Sequence, residues 1–201
     1  MMAERETRSQ GLTGVGDLIF MGPPGVGKGT QAKGLTDRNG WVQLSTGELF
    51  RDHLKRQTSF GQMAQRYMDH GDYVPDDVTI DMVREFLAEL APGTRVMFDG
   101  FPRTVAQAIA LDTLLAERSR SIGRVLVLDA PRDELVRRIL ARSRAEGRAD
   151  DTPDVITKRF EVYAEQTQPV VDHYQTKGLV RLVDGLGGIN EITDRLIEAA
   201  R

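Results

Sequence analysis

Five short, nearly continuous apolar runs punctuate the chain, at residues 18–21, 41–44, 96–99, 125–129 and 179–183. A strand with one wet face alternates apolar and polar residues. A run without that alternation belongs to a strand covered on both faces. Between the runs lie amphipathic stretches at 28–38, 47–57, 76–90, 104–118, 132–144, 153–176 and 189–199. Strands and helices in this order predict an α/β fold, a five-stranded parallel sheet wrapped by helices. Ligands of such sheets sit at the carboxyl ends of the strands. The segments directly after each run are therefore where chemistry is expected.

The first such segment is "GPPGVGKGT", residues 22–30. It matches G-x-x-x-x-G-K, the loop of P-loop NTPase-type folds. Successive backbone N–H groups of that loop converge on an anion, and the following helix adds its positive end. On this pattern Lys28 reaches the outer phosphates of a nucleoside triphosphate, with Gly25, Val26, Gly27, Gly29 and Thr30 around it. The strict pattern wants Ser or Thr directly after the lysine, whereas here Gly29 precedes Thr30.

After the second run, "LSTGELFR" brings Thr46 and Arg51. Taken alone, they read equally well as a helix start and a surface helix residue. After the third run comes "DGFPRTVAQ". Asp99, at the strand's end, suits a Mg²⁺-bound water or the capping of a turn. Pro102 offers a rigid helix start, and Arg103 and Gln107, four apart, would share a helical face. A guanidinium and an amide on one face suit the phosphate and base edge of a single nucleotide. After the fourth run, Arg138 and Arg142 are four apart on a helix, Arg148 lies in a polar stretch and Arg159 is on the next helix. A solvated charged face is the ordinary explanation of such a run when context is ignored.

Composition narrows the classes. The 201 residues suit one domain, and 40% hydrophobic content can fill a core. No apolar run approaches a membrane span, so no membrane association is expected. The first fifteen residues are polar and lack the apolar middle of a secretion signal, and residues 1–16 are read as a disordered tail. Cysteine is absent, which removes disulfides and cysteine-ligated zinc and fits a cytoplasmic protein. With a net charge of -3, a nucleic-acid surface is not expected. Arginines outnumber lysines 22 to 5, and guanidinium forks clamp phosphates bidentately.

Together, "GPPGVGKGTQA", "LSTGELFR", "GDYVPD", "DGFPRT" and the arginine spacing resemble the adenylate kinases, in their short-lid form, from about residue 17 to the C-terminus. Gly-Thr after the loop lysine is that family's own variant. The resemblance implies Mg²⁺-dependent transfer, ATP + AMP = 2 ADP, serving adenine-nucleotide balance and purine salvage. It implies that Thr46 meets the AMP base and Arg51 its phosphate, while the backbone of Asp72, Tyr73 and Val74 lines the base. Gly100, Phe101, Pro102, Arg103 and Gln107 complete that acceptor site. Arg138 would stack on the ATP adenine, near the backbone of Gly187. Arg142, Arg148 and Arg159 would surround the transferred phosphoryl, joining Lys28 and Arg103 as the catalytic set. Asp150 and Asp151 are placed to pair with these arginines.

The same resemblance divides the kinase domain, residues 17–201, into a core (17–44, 76–140 and 152–201), a helical AMP lobe (45–75) and a short lid (141–151). It implies ATP, AMP and ADP as partners, a monomer, and no zinc, because the long metal-binding lid is absent. Glu48 and Phe50 depart from the family's usual aspartate and leucine. The related UMP/CMP kinases carry alanine and asparagine where this chain has Thr46 and Gln107, which favours AMP. A P-loop ATPase or binding module would have no use for a second nucleotide site, and "DGFPRT" counts against it.

Overall fold

The computed structural model describes residues 16–146 and 151–201. The expected N-terminal tail (Gly16 apart), Arg148 and Asp150 lie outside those residues. The strands are β1 (Asp17–Met21), β2 (Val42–Ser45), β3 (Val96–Asp99), β4 (Ile122–Asp129) and β5 (Val180–Asp184). They form one sheet in the order β2-β3-β1-β4-β5, with every neighbouring pair parallel. The helices are α1 (Lys28–Asn39), α2 (Thr46–Lys55), α3 (Ser59–Met68), α4 (Asp76–Glu89), α5 (Val105–Ala116), α6 (Arg132–Glu146), α7 (Pro153–Val162), α8 (Gln168–Gln175) and α9 (Ile189–Ala199).

The runs at β1 and β3 are continuous because the centre of the sheet is covered on both sides, whereas edge strand β5 leaves Leu182 75% exposed. Ile19 and Met21 face one layer, with Leu44, Phe98 and Val125, against Val83 of α4, Leu111 of α5 and Tyr174 of α8. Leu18 and Phe20 face the other, with Met97 and Leu126, against Leu35 of α1, Leu135 of α6 and Leu196 of α9. Each such side chain, once buried, contributes about 1.5–3 kcal/mol. A third, smaller core of Phe50, Ala64 and Val74 lies under α2 and α3, with Val78 and Met82 of α4 packed against it. Phe50 builds that core by packing on Phe60, with ring centroids 5.7 Å apart.

Two elements differ from expectation. The stretch 153–176 is not one helix: a π-helical turn, Tyr163–Thr167, separates α7 from α8. Pro169 lies two positions beyond it, and its missing N–H removes one helical hydrogen bond, which accounts for the interruption. Pro102 does not begin a helix either. The Thr104 hydroxyl accepts from the Gln107 N–H, so α5 starts at Val105.

The amino ends of the strands are tied together by Asp17, which is 3% exposed. Its carboxylate accepts from Arg120 at 2.6 and 2.8 Å and from the Val96 N–H at 2.9 Å. The opposite, carboxyl ends of the sheet are open to the cleft described next. Among the described residues, no helix is long and apolar enough to cross a membrane.

Candidate active site

One cavity of about 890 Å³ lies over the carboxyl ends of β1, β2 and β3. Its floor is the loop between β1 and α1. That loop turns at Gly25 and Gly27, with φ of 83° and 98°, a region L side chains rarely enter. No side chain caps α1, which leaves its first-turn N–H groups open to a ligand. Gly25, Gly27, Lys28, Gly29 and Thr30 line the cavity. Val26 does not: its side chain is buried in the core, and its carbonyl accepts from Arg138 at 3.3 Å. The Lys28 ammonium donates to the carbonyls of Gly22 and Pro23, which holds it within the loop. Burial pulls its pKa down to about 8; Asp99 opposes this, while Arg103 and Arg142 add to it.

The second wall comes from α2, from the segment after β3, and from residues 71–74. Thr46, 1% exposed, donates to the Gly100 carbonyl at 2.8 Å. Arg103 Nε donates to that same carbonyl at 2.7 Å. Arg51 folds back beside Gly47, where a Cβ would lie 3.4 Å from its guanidinium nitrogens. Asp72, Tyr73, Val74, Phe101 and Pro102 also line this side. Arg103 and Gln107 do not share a helical face, because Arg103 precedes α5. Instead the Arg103 N–H donates to Gln107 Oε1 at 2.7 Å, and Gln107 Nε2 donates to Asp76 at 2.7 Å. Asp76 also accepts from Thr104 at 2.7 Å. A carboxamide has capacity for four hydrogen bonds, so Gln107 keeps half of its own.

The third wall is α6 and α7. Arg138, Arg142 and Arg159 line the cavity, and Arg148 lies outside the described residues. Arg138 is held by Glu134 at 2.7 Å and reaches the Gly185 carbonyl at 3.1 Å, so it bridges α6, the phosphate loop and the turn after β5. Hydrogen bonds from Arg137 and Arg138 hold the Glu134 carboxyl down at about 2. Gly187 is not part of the lining; it sits in that turn at φ 119°, against Glu191. The fully buried carboxylate of Asp151 joins Arg142, at 2.9 Å, to Arg159, at 2.6 Å. Arg142 Nε is buried with no acceptor among the described residues.

Asp99 ends β3 at 6% exposure, and one carboxylate oxygen accepts from Gln43 Nε2 at 3.0 Å. Among the described residues there is no cluster of three or more His, Asp or Glu side chains able to cage a metal. A single carboxylate beside a phosphate loop suits a hard cation carried mainly by phosphates and water. Sequence reasoning missed Gln43, Asp76, Tyr163 and Thr167. Gln43 meets Asp99 from 56 positions away, Asp76 meets Gln107 from 31 and Thr167 meets Arg103 from 64, separations no local pattern reports.

A family model described as "Adenylate kinase" matches residues 20–179. An adenylate kinase of Thermus thermophilus is 48% identical over 179 residues, covering 89% of this chain and 94% of that one. One of Deinococcus radiodurans is 48% identical over 186 residues, covering 90% and 94%. One of Micrococcus luteus is 46% identical over 182 residues, covering 90% and 89%.

Proposed function

Because the chain belongs to the adenylate kinase family, we propose that the one cleft seats ATP and AMP together, and that the reaction ATP + AMP = 2 ADP runs between them. The observation that carries this reading is the convergence of Lys28, Arg103, Arg142 and Arg159 on a single cavity, from the phosphate loop, the acceptor wall and the α6–α7 side.

In this reading ATP lies along the phosphate loop, with its triphosphate on the amides of residues 25–30 and on Lys28, and its adenine against Arg138 near Gly187. AMP lies across the cleft, its base toward Thr46, Gln107 and the backbone of residues 72–74, and its phosphate toward Arg51 and Arg103. Asp99 would hold Mg²⁺ through water, and the ion would offset the negative charge of the ATP phosphates. An AMP phosphate oxygen attacks the γ-phosphorus in line, and the bond from that phosphorus to the β–γ bridging oxygen breaks, releasing ADP. The nucleophile is already an anion, so no general base is required. The remaining task is alignment and dispersed positive charge. Arg142, which lines the cavity, supplies a donor for the moving phosphoryl. Of the expected lid, 141–151, Arg148 lies outside the described residues; closure of the α6–α7 side over the bound pair would keep water out. The protein works as a cytoplasmic monomer.

The adenine acceptor is favoured over a pyrimidine one by Thr46 and Gln107 and by the names its relatives carry. The test is a transfer assay with ATP and Mg²⁺, offering AMP, UMP, CMP or GMP to wild type and to Arg103→Ala. AMP should be the one strongly phosphorylated acceptor, and Arg103→Ala should lose that activity. Preferential phosphorylation of UMP or CMP would overturn the base assignment.

A further inference from the structure

Tyr73 belongs to the segment that joins α3 to α4, and only its backbone has a part in the reading above. Its side chain meets two other residues that line the cavity, Arg103 and Thr167. The Arg103 guanidinium lies over the Tyr73 ring, 4.8 Å from the centroid. The Tyr73 hydroxyl meets Thr167 Oγ1 at 2.8 Å. Thr167 Oγ1 in turn donates to the Arg103 carbonyl at 2.9 Å. A carbonyl only accepts, so the single threonine proton is committed to Arg103 and the Tyr73 hydroxyl must donate to Thr167. Tyr73 and Thr167 close a ring with Arg103, which is gripped at its backbone by Thr167 and at its guanidinium by Tyr73.

Each partner is itself well placed. Thr167, 4% exposed, ends the π-helical turn, where the wider winding before Pro169 sets its hydroxyl against the segment after β3. Residues next to Tyr73 lean on α7: a Cβ at Gly71 would lie 3.2 Å from the Val155 carbonyl, and Asp72 faces Lys158 at 3.9 Å.

We propose that Tyr73 and Thr167 are positioning residues for Arg103: together they hold its guanidinium at the angle and height that meet the AMP phosphate. This rests on the reading of Arg103 as an AMP ligand. A long arginine side chain has many rotamers, and fixing one before the acceptor arrives removes an ordering cost from binding. Arg103 Nε is already spent on the Gly100 carbonyl, so the ring beneath the guanidinium orients the Nη donors that remain. The effect should fall on AMP and spare ATP, whose phosphate loop none of these contacts touches.

The experiment measures AMP and ATP dissociation constants by NMR titration, which reaches millimolar values without turnover, together with KM for each nucleotide. Tyr73→Leu should weaken AMP about ten-fold, equivalent to about 1.4 kcal/mol, and leave ATP within two-fold. Tyr73→Phe keeps the ring and loses the hydroxyl, and should recover most of the loss. Thr167→Val, close in shape, should weaken AMP without weakening ATP. Adding Tyr73→Leu to Arg103→Ala should have no further effect, because the residue it positions is gone. Equal weakening of ATP and AMP would mark a general structural role and overturn the proposal. So would full additivity with Arg103→Ala, which would mean that the ring meets AMP directly. If Arg103→Ala itself leaves AMP binding unchanged, the acceptor-site reading fails first. If Arg103→Ala weakens AMP and Tyr73→Leu does not, the positioning role alone is wrong.

Discussion

Gly25→Ala adds one carbon at a tight point of the phosphate loop. The backbone there has φ 83°, and the new Cβ would sit 2.5 Å from the Leu135 carbonyl oxygen and 2.7 Å from Ile139 Cγ1. An L residue in left-handed conformation costs about 1–2 kcal/mol. Forcing a methyl against packed neighbours costs a further ~1–3 kcal/mol. Leu135 O belongs to the backbone of α6 and cannot swing aside as a flexible side chain would. If the loop keeps its shape, stability therefore falls by about 2–5 kcal/mol. If it yields, it retreats from α6 by roughly 1 Å, and a displacement of that size at reacting phosphates costs on the order of 100-fold in rate. Urea denaturation reads the first outcome, and kcat/KM for ATP at saturating AMP reads the second. The control is the same substitution at Gly34, inside α1, where a Cβ would meet Thr193 at an ordinary 3.5 Å. Gly34→Ala should stabilise by about 0.5–1 kcal/mol. A Gly25→Ala protein with wild-type urea midpoint and wild-type kcat/KM for ATP would refute the reasoning.

Other perturbations read other parts of the account. Arg120→Leu strands the buried Asp17 carboxylate, 3% exposed, at the amino ends of the strands. It should cost about 3–5 kcal/mol and lower Tm by roughly 6–20 °C, with kcat unchanged because the cleft is at the other end of the sheet. Lys28, with its pKa lowered to about 8, must be protonated to hold a triphosphate. Below that pH, ATP affinity should be flat. As pH rises through about 8 the free protein loses the proton that the complex keeps, so affinity should fall by up to ten-fold per pH unit, and calorimetry of Lys28→Met should show weak binding with no such slope. Asp151→Asn removes the charge shared by Arg142 and Arg159. It should lower Tm by several degrees, as expected when two part-buried guanidiniums lose their carboxylate.

The sheet was legible because β1 and β3 are short, buried on both faces and followed by their helices, so local pattern and tertiary role coincide; the apolar run of edge strand β5 was less informative, since Leu182 is 75% exposed. Lys28 and the glycines around it were legible for the same reason: loop, helix start and charge fall within nine residues. The acceptor wall was readable as residue types and misread as local structure. "PRTVAQ" looks like a helix that opens at Pro102, yet the Thr104 hydroxyl takes the capping position and leaves Arg103 outside α5. Gln107 was expected to face a base edge freely; Asp76, 31 positions earlier, already holds its amide. The contacts around Arg103 were hidden altogether, because Tyr73 and Thr167 are 94 residues apart and meet only once the π-helical turn is formed. Arginine count alone also said little. Arg120 braces a buried carboxylate, whereas Arg142 faces the cleft, and only position separates the two.

The central claim is that two nucleotides occupy one cleft and exchange a phosphoryl group directly. The most direct measurement supplies ADP as the sole nucleotide, with Mg²⁺, and quantifies ATP, AMP and inorganic phosphate over time. The account predicts ATP and AMP in equal amounts, no phosphate release, and loss of both products in Arg103→Ala. Phosphate appearing in step with AMP, without matching ATP, would make the protein a hydrolase with one nucleotide site and contradict the account.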